Sequence, residues 1–363
     1  MRILFILSFI FVYANATIIS TDKLLKIAEH VNSMKGTWEA GVNFDTKLKE
    51  IDVSHTVGAF VQKIKLENEN DDHNDNNDND DDDDDDDDDD EENSNENNSK
   101  AENCEDNGLP KTFDARLRWP KCKSIGHIYD QGNCGSCWAV SATSVFTDRI
   151  CIESNGKFTS LRSSQQTLSC CHKCAGPDGC KGGWPQAAWD YFRRNGLVTG
   201  GDYDSNEGCQ PYLLRTCSHH VNSTLPQCSS LKDEKAPKCK LHCYNRKYAS
   251  NYKKDRIKSK SYYNVDPCSA MNEIYKNGPI VAIFSVFEDF YTYKSGVYRY
   301  TTGKHVGWHA VRVVGWGVEN EIPYWLVTNS WNDQWGDKGY FKIIRGENDC
   351  SFEEFFFAGL AIL

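Results

Sequence analysis

Sixteen cysteines lie in a chain of 363 residues, most of them between Cys122 and Cys243. Whether such density means disulfides, metal ligands or reactive thiols depends on the compartment in which the chain folds. The first residues bear on that. Arg2 gives a positive start, residues 3–12 form an apolar run, and Ala14, Asn15 and Ala16 make a small-x-small cleavage site. This pattern predicts a secretory signal peptide over residues 1–16. A membrane anchor is the competing reading, but an apolar run of about ten residues is half the ~20 that a span needs. No later stretch is long and apolar enough to cross a bilayer. In an oxidising pathway the cysteines read as a disulfide framework for a folded part downstream.

Charge divides the rest. The chain carries −12 overall, yet residues 67–107 alone hold 23 Asp and Glu against one Lys, including ten consecutive Asp at 81–90. Like charges this dense repel, and nothing apolar is present to bury, so a disordered acidic linker is expected there. Weak calcium sequestration is the alternative reading of this tract, although no EF-hand spacing occurs. A sharper expectation is that the tract docks on the basic folded part and loosens when acid protonates its Asp side chains. Residues 108–363 hold 32 Lys and Arg against 24 Asp and Glu. This charge reads as scattered rather than striped, which argues against nucleic-acid binding. Before the tract, Leu24, Leu25, Ala28 and Val31 fall at helical spacing, and residues 37–44 place Trp38 and Phe44 around Gly41. Some fifty residues bury too little to stand alone, so 17–66 is expected to lean on the rest of the chain. From residue 108 the composition is that of a folded domain without internal repeats.

Chemistry concentrates at Gln131-Gly132-Asn133-Cys134-Gly135-Ser136-Cys137-Trp138. From Cys137, apolar residues Ala139, Ala142, Val145, Phe146 and Ile150 recur at helical spacing, and glycines precede it, so Cys137 is expected to open a helix. The positive end of a helix favours an anion, and a thiol there beside a histidine can fall from about 8.5 to roughly 3–4 in pKa. Two other readings fit the Cys134–Cys137 spacing, a redox dithiol and half a zinc site. A thioredoxin-type dithiol would follow a strand in a short βαβ chain and would need none of the other cysteines. Downstream, His309 opens an alternating run through Gly317, and residues 323–329 form another, which predicts an antiparallel pair bringing Asn329 beside His309. A histidine so placed takes a thiol proton and later returns it, while an amide on its other nitrogen fixes the tautomer. Trp331 would cover that bond. His305 is the rival base, judged weaker because the strand is expected to begin after it.

The stretch around Cys137, with Asn329-Ser330-Trp331 and Trp335-Gly336, resembles the papain superfamily of cysteine peptidases. His309 follows Cys137 by 172 residues, more than the ~130–150 of common members. This implies an insertion, and Cys217-Ser218-His219-His220-Val221-Asn222 to Cys228 is similar to the occluding loop of cathepsin B. Residues 148–152, 179–183, 276–279 and 293–298 also resemble that subfamily, as does 37–44 more loosely. The resemblance implies an α+β, papain-like two-lobed fold over 108–363, a helical lobe facing a β-barrel-like lobe, with a propeptide at 17–66 and the occluding loop at about 217–228. It implies Cys137 as nucleophile, His309 as base, Asn329 as its orienter and Gln131 as an oxyanion donor together with the backbone N–H of Cys137. Substrate would lie against Gly182, Gly183, Trp308 and Trp331, and His219 and His220 would hold a C-terminal carboxylate, giving dipeptide removal as well as internal cleavage.

By the same resemblance the disulfides are Cys122–Cys151, Cys134–Cys180, Cys170–Cys239, Cys171–Cys174, Cys209–Cys243 and Cys217–Cys228, with Cys104, Cys268 and Cys350 unassigned. Several positions depart from the pattern. Trp308 replaces a glycine before the base, Phe355 replaces a glutamate at the floor of the S2 pocket, and Ile283 replaces a small residue on its wall. A smaller, more apolar S2 that takes P2 Arg weakly is expected. Leu225 and Gln334 stand where the loop latch has an Arg and an Asp, so a looser loop and a larger endopeptidase share are expected, with Asp130 left to hold His219. Asn222-Ser223-Thr224 is a glycosylation sequon and Asn97-Asn98-Ser99 another. No cofactor and no metal are expected. The expected partners are peptide and protein substrates, the chain's own propeptide as inhibitor and cystatin-type inhibitors, acting on a monomer in a lysosome or acidic vacuole, or secreted. The rival readings are a catalytically inactive homologue that serves as a binding protein and, from the Asp tract alone, a calcium store.

Overall fold

The computed structural model describes residues 18–42, 44, 46–61, 108–219, 221, 223–231 and 234–363. The expected signal peptide and acidic linker, with Asn97 and Cys104, lie outside the described residues, as do His220 and the sequon residue Asn222.

The N-terminal segment begins with β1 (Ile18–Ser20), which pairs antiparallel with β3 (Glu50–Asp52). Between them Ser20 caps α1 (Thr21–Ser33), its hydroxyl accepting from Lys23 N at 3.3 Å, and Asp22 faces the positive end of the helix dipole. The buried face is Leu24, Ile27, Ala28 and Val31, while the expected Leu25 is only partly buried. Strand β2 (Trp38–Ala40) adds antiparallel to the edge of the main sheet at β7 (Tyr293–Tyr298), where Trp38 Nε1 donates to Arg299 O at 2.9 Å. The segment therefore does lean on the rest of the chain.

The larger body starts with β4 (Phe113–Asp114) and α2 (Ala115–Arg118). Its helical side is α3 (Cys137–Glu153), α4 (Ser164–Cys170) and α5 (Pro185–Asn195). There follow β5 (Lys258–Asn264), α6 (Pro267–Asn277), β6 (Ile280–Phe287), β7, β8 (His305–Glu319), β9 (Ile322–Thr328), β10 (Tyr340–Ile344) and β11 (Phe356–Ile362). Among the described residues the main sheet runs β2-β7-β10-β9-β8-β6-β11-β5, with β4 also on β8. All its pairings are antiparallel except β7 with β10. The fold is thus mixed helix and sheet, disulfide-rich, with a helical lobe and a sheet lobe, each around its own apolar core.

Helix α3 is buried from Cys137 to Cys151, not along one stripe. Its hydroxyl residues tolerate this by bonding locally: Thr147 Oγ1 donates to Thr143 O and Ser144 Oγ to Ser141 O, each at 2.8 Å. The helix is tied to the sheet by charge as well as packing. Arg312 on β8 reaches Asp148 on α3 at 2.9 Å, both buried, and Arg149 donates to the carbonyls of Gly278 and Pro279 beside β6. Strand β8 begins at His305, four residues before the expected start, so the expectation that no strand follows His305 is corrected. The pattern hid this because a register shift lies between Val286 and Phe287 on the partner strand, interrupting the alternation.

Disulfides join Cys122–Cys151, Cys134–Cys180, Cys170–Cys239, Cys171–Cys174, Cys209–Cys243 and Cys217–Cys228. Cys268 is also disulfide-bonded, and Cys137 and Cys350 carry free thiols. With Cys134 tied to Cys180, the pair Cys134–Cys137 is not a dithiol. No helix among the described residues is long and apolar enough to cross a membrane.

Candidate active site

Cys137 is the first residue of α3 and is fully buried. The disulfide at Cys134 and the bond from Gly135 N to Cys180 O, 2.7 Å, hold the turn that delivers it. His309 lies on β8, also fully buried, whereas His305 on the same strand is exposed. Register between β8 and β9 brings Asn329, just past the end of β9, back to His309. The imidazole Nε2–H donates to Asn329 Oδ1 at 2.7 Å, and Ser330 N donates to the same oxygen at 2.8 Å, which fixes the amide's orientation. His309 Nδ1 has no hydrogen-bond partner among the described residues, so it is the nitrogen available as a base. The Trp331 ring lies 5.0 Å from His309 and is itself stacked on Tyr291 at 5.4 Å, sealing this side from water.

Gln131 is buried, and its amide is oriented from both ends. Ser330 Oγ donates to its Oε1 at 2.6 Å, while Nε2 donates to Cys134 O at 3.0 Å and to His55 O at 2.9 Å. The second acceptor belongs to the N-terminal segment, which runs through the site. Trp331 Nε1 donates to Thr56 O, Gly58 N and Ala59 N both donate to Trp308 O, Gly183 N donates to Gly58 O, and Phe60 N to Gly183 O. At Gly58 an added Cβ would lie 2.1 Å from Gly135 O, so only glycine passes here. Beyond it the Phe60 ring packs edge-on against Trp184 at 4.7 Å and closes over Gly182.

This covering changes the electrostatics. Burial pushes the Cys137 thiol up to about 12, and burial lowers His309 to about 4, opposed by its bond to Asn329. The helix start alone favours a thiol of lowered pKa, but with the N-terminal segment in place the two groups are a neutral thiol and a neutral imidazole. The reason is that desolvation outweighs the helix end.

Trp308 is half-buried with its ring edge-to-face on Phe355 at 5.7 Å, and Ile283 is fully buried below, its N donating to Phe355 O at 3.1 Å. Ala59, Ile283, Ala310 and Phe355 share one apolar cluster with Cys137, and Trp308 packs against it. His219 is buried, with Nε2 at 2.7 Å from Asp130 Oδ1. Asp130 also accepts from Gly132 N, Cys217 N and Asn332 Nδ2, so four donors converge on it at the base of the 217–228 loop. Val221 bridges to Phe44 of the N-terminal segment, while Gln334 is exposed. Ser330 and the Asp148–Arg312 pair were not singled out from the sequence. A serine inside a motif and a charge pair 164 residues apart give no local signal.

Residues 109–360 match the family described as papain family cysteine protease. The chain is 46% identical over 254 residues to a cathepsin B-like cysteine proteinase of Schistosoma japonicum, covering 69% of this chain and 73% of that one. It is 45% identical over 262 residues to cathepsin B-like cysteine proteinase 1 of Ostertagia ostertagi, covering 71% and 75%. The fold resembles procathepsin B S9 of Trypanosoma congolense, with a TM-score of 0.68 and 31% identity over 93% of this chain and 97% of that one. It also resembles digestive procathepsin L2 of Tenebrio molitor, at a TM-score of 0.58 and 23% identity over 93% and 90%.

Proposed function

The chain belongs to the papain family of cysteine proteases and is a cathepsin B-like cysteine peptidase precursor, and from this premise we propose that Cys137, His309, Asn329 and Gln131 carry its peptide hydrolysis. In the uncovered site the Cys137 proton passes to His309 Nδ1. The sulfur attacks the scissile carbonyl carbon, and the resulting oxyanion is held by Gln131 Nε2 and the Cys137 backbone N–H. Collapse breaks the C–N bond, His309 returns the proton to the departing amine, and a thioester remains. Water, deprotonated by His309, then attacks the thioester; the acid leaves and the thiol is regenerated. Asn329 keeps Nε2 protonated so that Nδ1 stays free for both transfers. The observation that supports this most is the Asn329–His309–open Nδ1 arrangement next to a free thiol at a helix start.

Residues 17–66 act as the propeptide in this reading. Their carbonyl at His55 takes the place of the oxyanion on Gln131, and Gly58 to Phe60 occupy the strand positions of a substrate along Gly183 and Trp308. His219, held by Asp130, and its neighbour His220 recognise a substrate's C-terminal carboxylate and give dipeptidase activity. Without the latch at Leu225 and Gln334, internal cleavage keeps a larger share. The Trp308–Phe355–Ile283 wall forms an S2 pocket that favours aliphatic P2 side chains over Arg. Residues 1–16 direct the precursor into the secretory pathway, towards an acidic vacuole or lysosome or outside the cell, with glycosylation at Asn222.

The test is hydrolysis of a blocked fluorogenic dipeptide by acid-matured protein. The parent should turn over, and Cys137→Ala and His309→Ala should each fall by at least ~10³-fold. A correctly matured parent that hydrolyses nothing would instead make the chain an inactive, peptide-binding homologue.

A further inference from the structure

Residues 235–260 concentrate the positive charge of the folded part. They hold ten Lys and Arg side chains, from Lys235 to Lys260, against one carboxylate, Asp255, and all ten are exposed. The rest of 108–363 is left with 22 Lys and Arg against 23 Asp and Glu, close to neutral. The expectation that the basic charge is scattered is therefore corrected. Asp255 offsets little, because it is turned inward: Oδ2 accepts from Thr199 N and Oγ1, each at 2.7 Å, and Oδ1 from the Tyr248 hydroxyl at 2.6 Å.

The charges do not sit on independent loops. Disulfides Cys170–Cys239 and Cys209–Cys243, the Leu197–Ile257 bridge, and Gln210 Nε2 donating to Lys240 O and His242 O pin the stretch to its surroundings. It ends on β5, the edge strand of the sheet, with Lys258 and Lys260 both exposed. Ten like charges on one pinned and exposed stretch of chain raise a positive field that attracts a polyanion.

The chain supplies one. Residues 67–107 carry 23 carboxylates against one Lys. They come after Val61, and Val61 and Ala236, at the start of the basic stretch, both pack against the core of the helical lobe. Ala236 N donates to Asp178 Oδ1 at 2.9 Å, and Phe60 N donates to Gly183 O at 2.8 Å, in the same turn region. The 46 residues of 62–107 reach up to about 150 Å when extended at ~3.3 Å each, so length sets no limit. A second basic run, Lys111 to Lys123, adjoins the other end of the tract, but its Arg116 is already paired with Asp114 and stacked over Tyr340.

We propose that the basic surface of residues 235–260 is the docking surface for the acidic segment 67–107 of the same chain. The precursor thus carries its own polyanion, and removal of that segment exposes a polyanion-binding face on the peptidase. Tethering gives the acidic segment a millimolar effective concentration, so free polyanions compete poorly until it is gone.

The test uses the full-length Cys137→Ala precursor, which reads contacts and not activity and so stands apart from the catalytic assignment. Zero-length carbodiimide cross-linking at low salt, mapped by mass spectrometry, should join carboxylates of 67–107 to lysines of 235–260 within one molecule. These links should fall at least fivefold in about 0.5 M salt, where screening is short-ranged. Links that go mainly to Lys111–Lys123, spread evenly over the lysines, or form only between molecules would overturn the proposal. In a second arm heparin serves as the probe. A precursor with the 67–107 carboxylates changed to amides should elute from it at higher salt than the parent, and adding Lys253→Glu, Lys254→Glu and Lys258→Glu should reverse the gain. Equal elution of parent and amide variant, or a gain that survives the three reversals, would refute it.

Discussion

Gln131 shows how much of this site depends on single atoms. Its amide is held by Ser330 Oγ on Oε1, which turns Nε2 into the cleft. Gln131→Ala should lower kcat by about 10²–10³ with little change in KM, the signature of a donor used at the transition state. Ser330→Ala should keep the fold and lower kcat less, by ~10-fold, because the amide is freed to rotate but not removed; an unchanged kcat would show that Ser330 does not position it. The pocket wall makes a separate prediction. Phe355→Glu places a carboxylate against Trp308, and the kcat/KM ratio for P2 Arg over P2 Leu should rise at least ~10-fold, since a buried counter-charge replaces an apolar floor. A ratio that does not move would remove Phe355 from the pocket. At this scale the sequence was informative where a residue type carries its own chemistry, as with Cys137 and His309. It was silent on Ser330, whose role exists only through a partner 199 residues away.

Between elements, the decisive relation is that of α3 to β8, because one brings the thiol and the other the imidazole. The Asp148–Arg312 bond sets it, with Arg312 also donating to Ser124 O, His127 O and Thr328 Oγ1. Breaking a buried pair from one side strands the other charge, at a cost of ~3–5 kcal/mol. Asp148→Ala should therefore lower the Tm markedly and reduce thiol labelling of the folded fraction, whereas Arg194→Ala, which removes the exposed partner of half-buried Asp190, should move stability by less than about 0.5 kcal/mol. Calorimetry of the two variants side by side checks this. Periodicity located α3, β8 and β9, since a buried helix and alternating strands leave a local imprint. It missed the start of β8 at His305 and the strand character of Trp38–Ala40. A three-residue strand has no pattern of its own and forms only because β7 offers an open edge.

For the whole molecule, the N-terminal segment both blocks the cleft and resets its chemistry. Covered, His309 is held near 4, against an ordinary 6.5. In the Cys137→Ala protein, where no thiol proton enters the balance, the covered state therefore binds fewer protons between those values than an open one with an ordinary imidazole. Falling pH then favours opening of that variant, by up to tenfold per pH unit below about 6.5, and the effect levels off below about 4. Titration of a peptide spanning 18–61 into mature domain carrying Cys137→Ala should show this slope; an affinity that is flat from pH 7 to 4.5 would detach release from His309. The two-lobed architecture and the disulfide pairs were legible only through family resemblance, because spacing alone leaves the pairing open. The covering of the site could not be read at all, since it depends on how two distant segments meet.

The proposed hydrolysis requires that Cys137 become an activated thiolate once the segment over it is removed. The direct measurement is mass-spectrometric labelling with an epoxide inhibitor specific for cysteine peptidases, on precursor before and after maturation at acid pH, with Cys137→Ala beside it. The precursor should take no label, the matured parent one adduct at Cys137, and the variant none. A matured parent that takes no label at Cys137, or that labels at Cys350 instead, would contradict that activation.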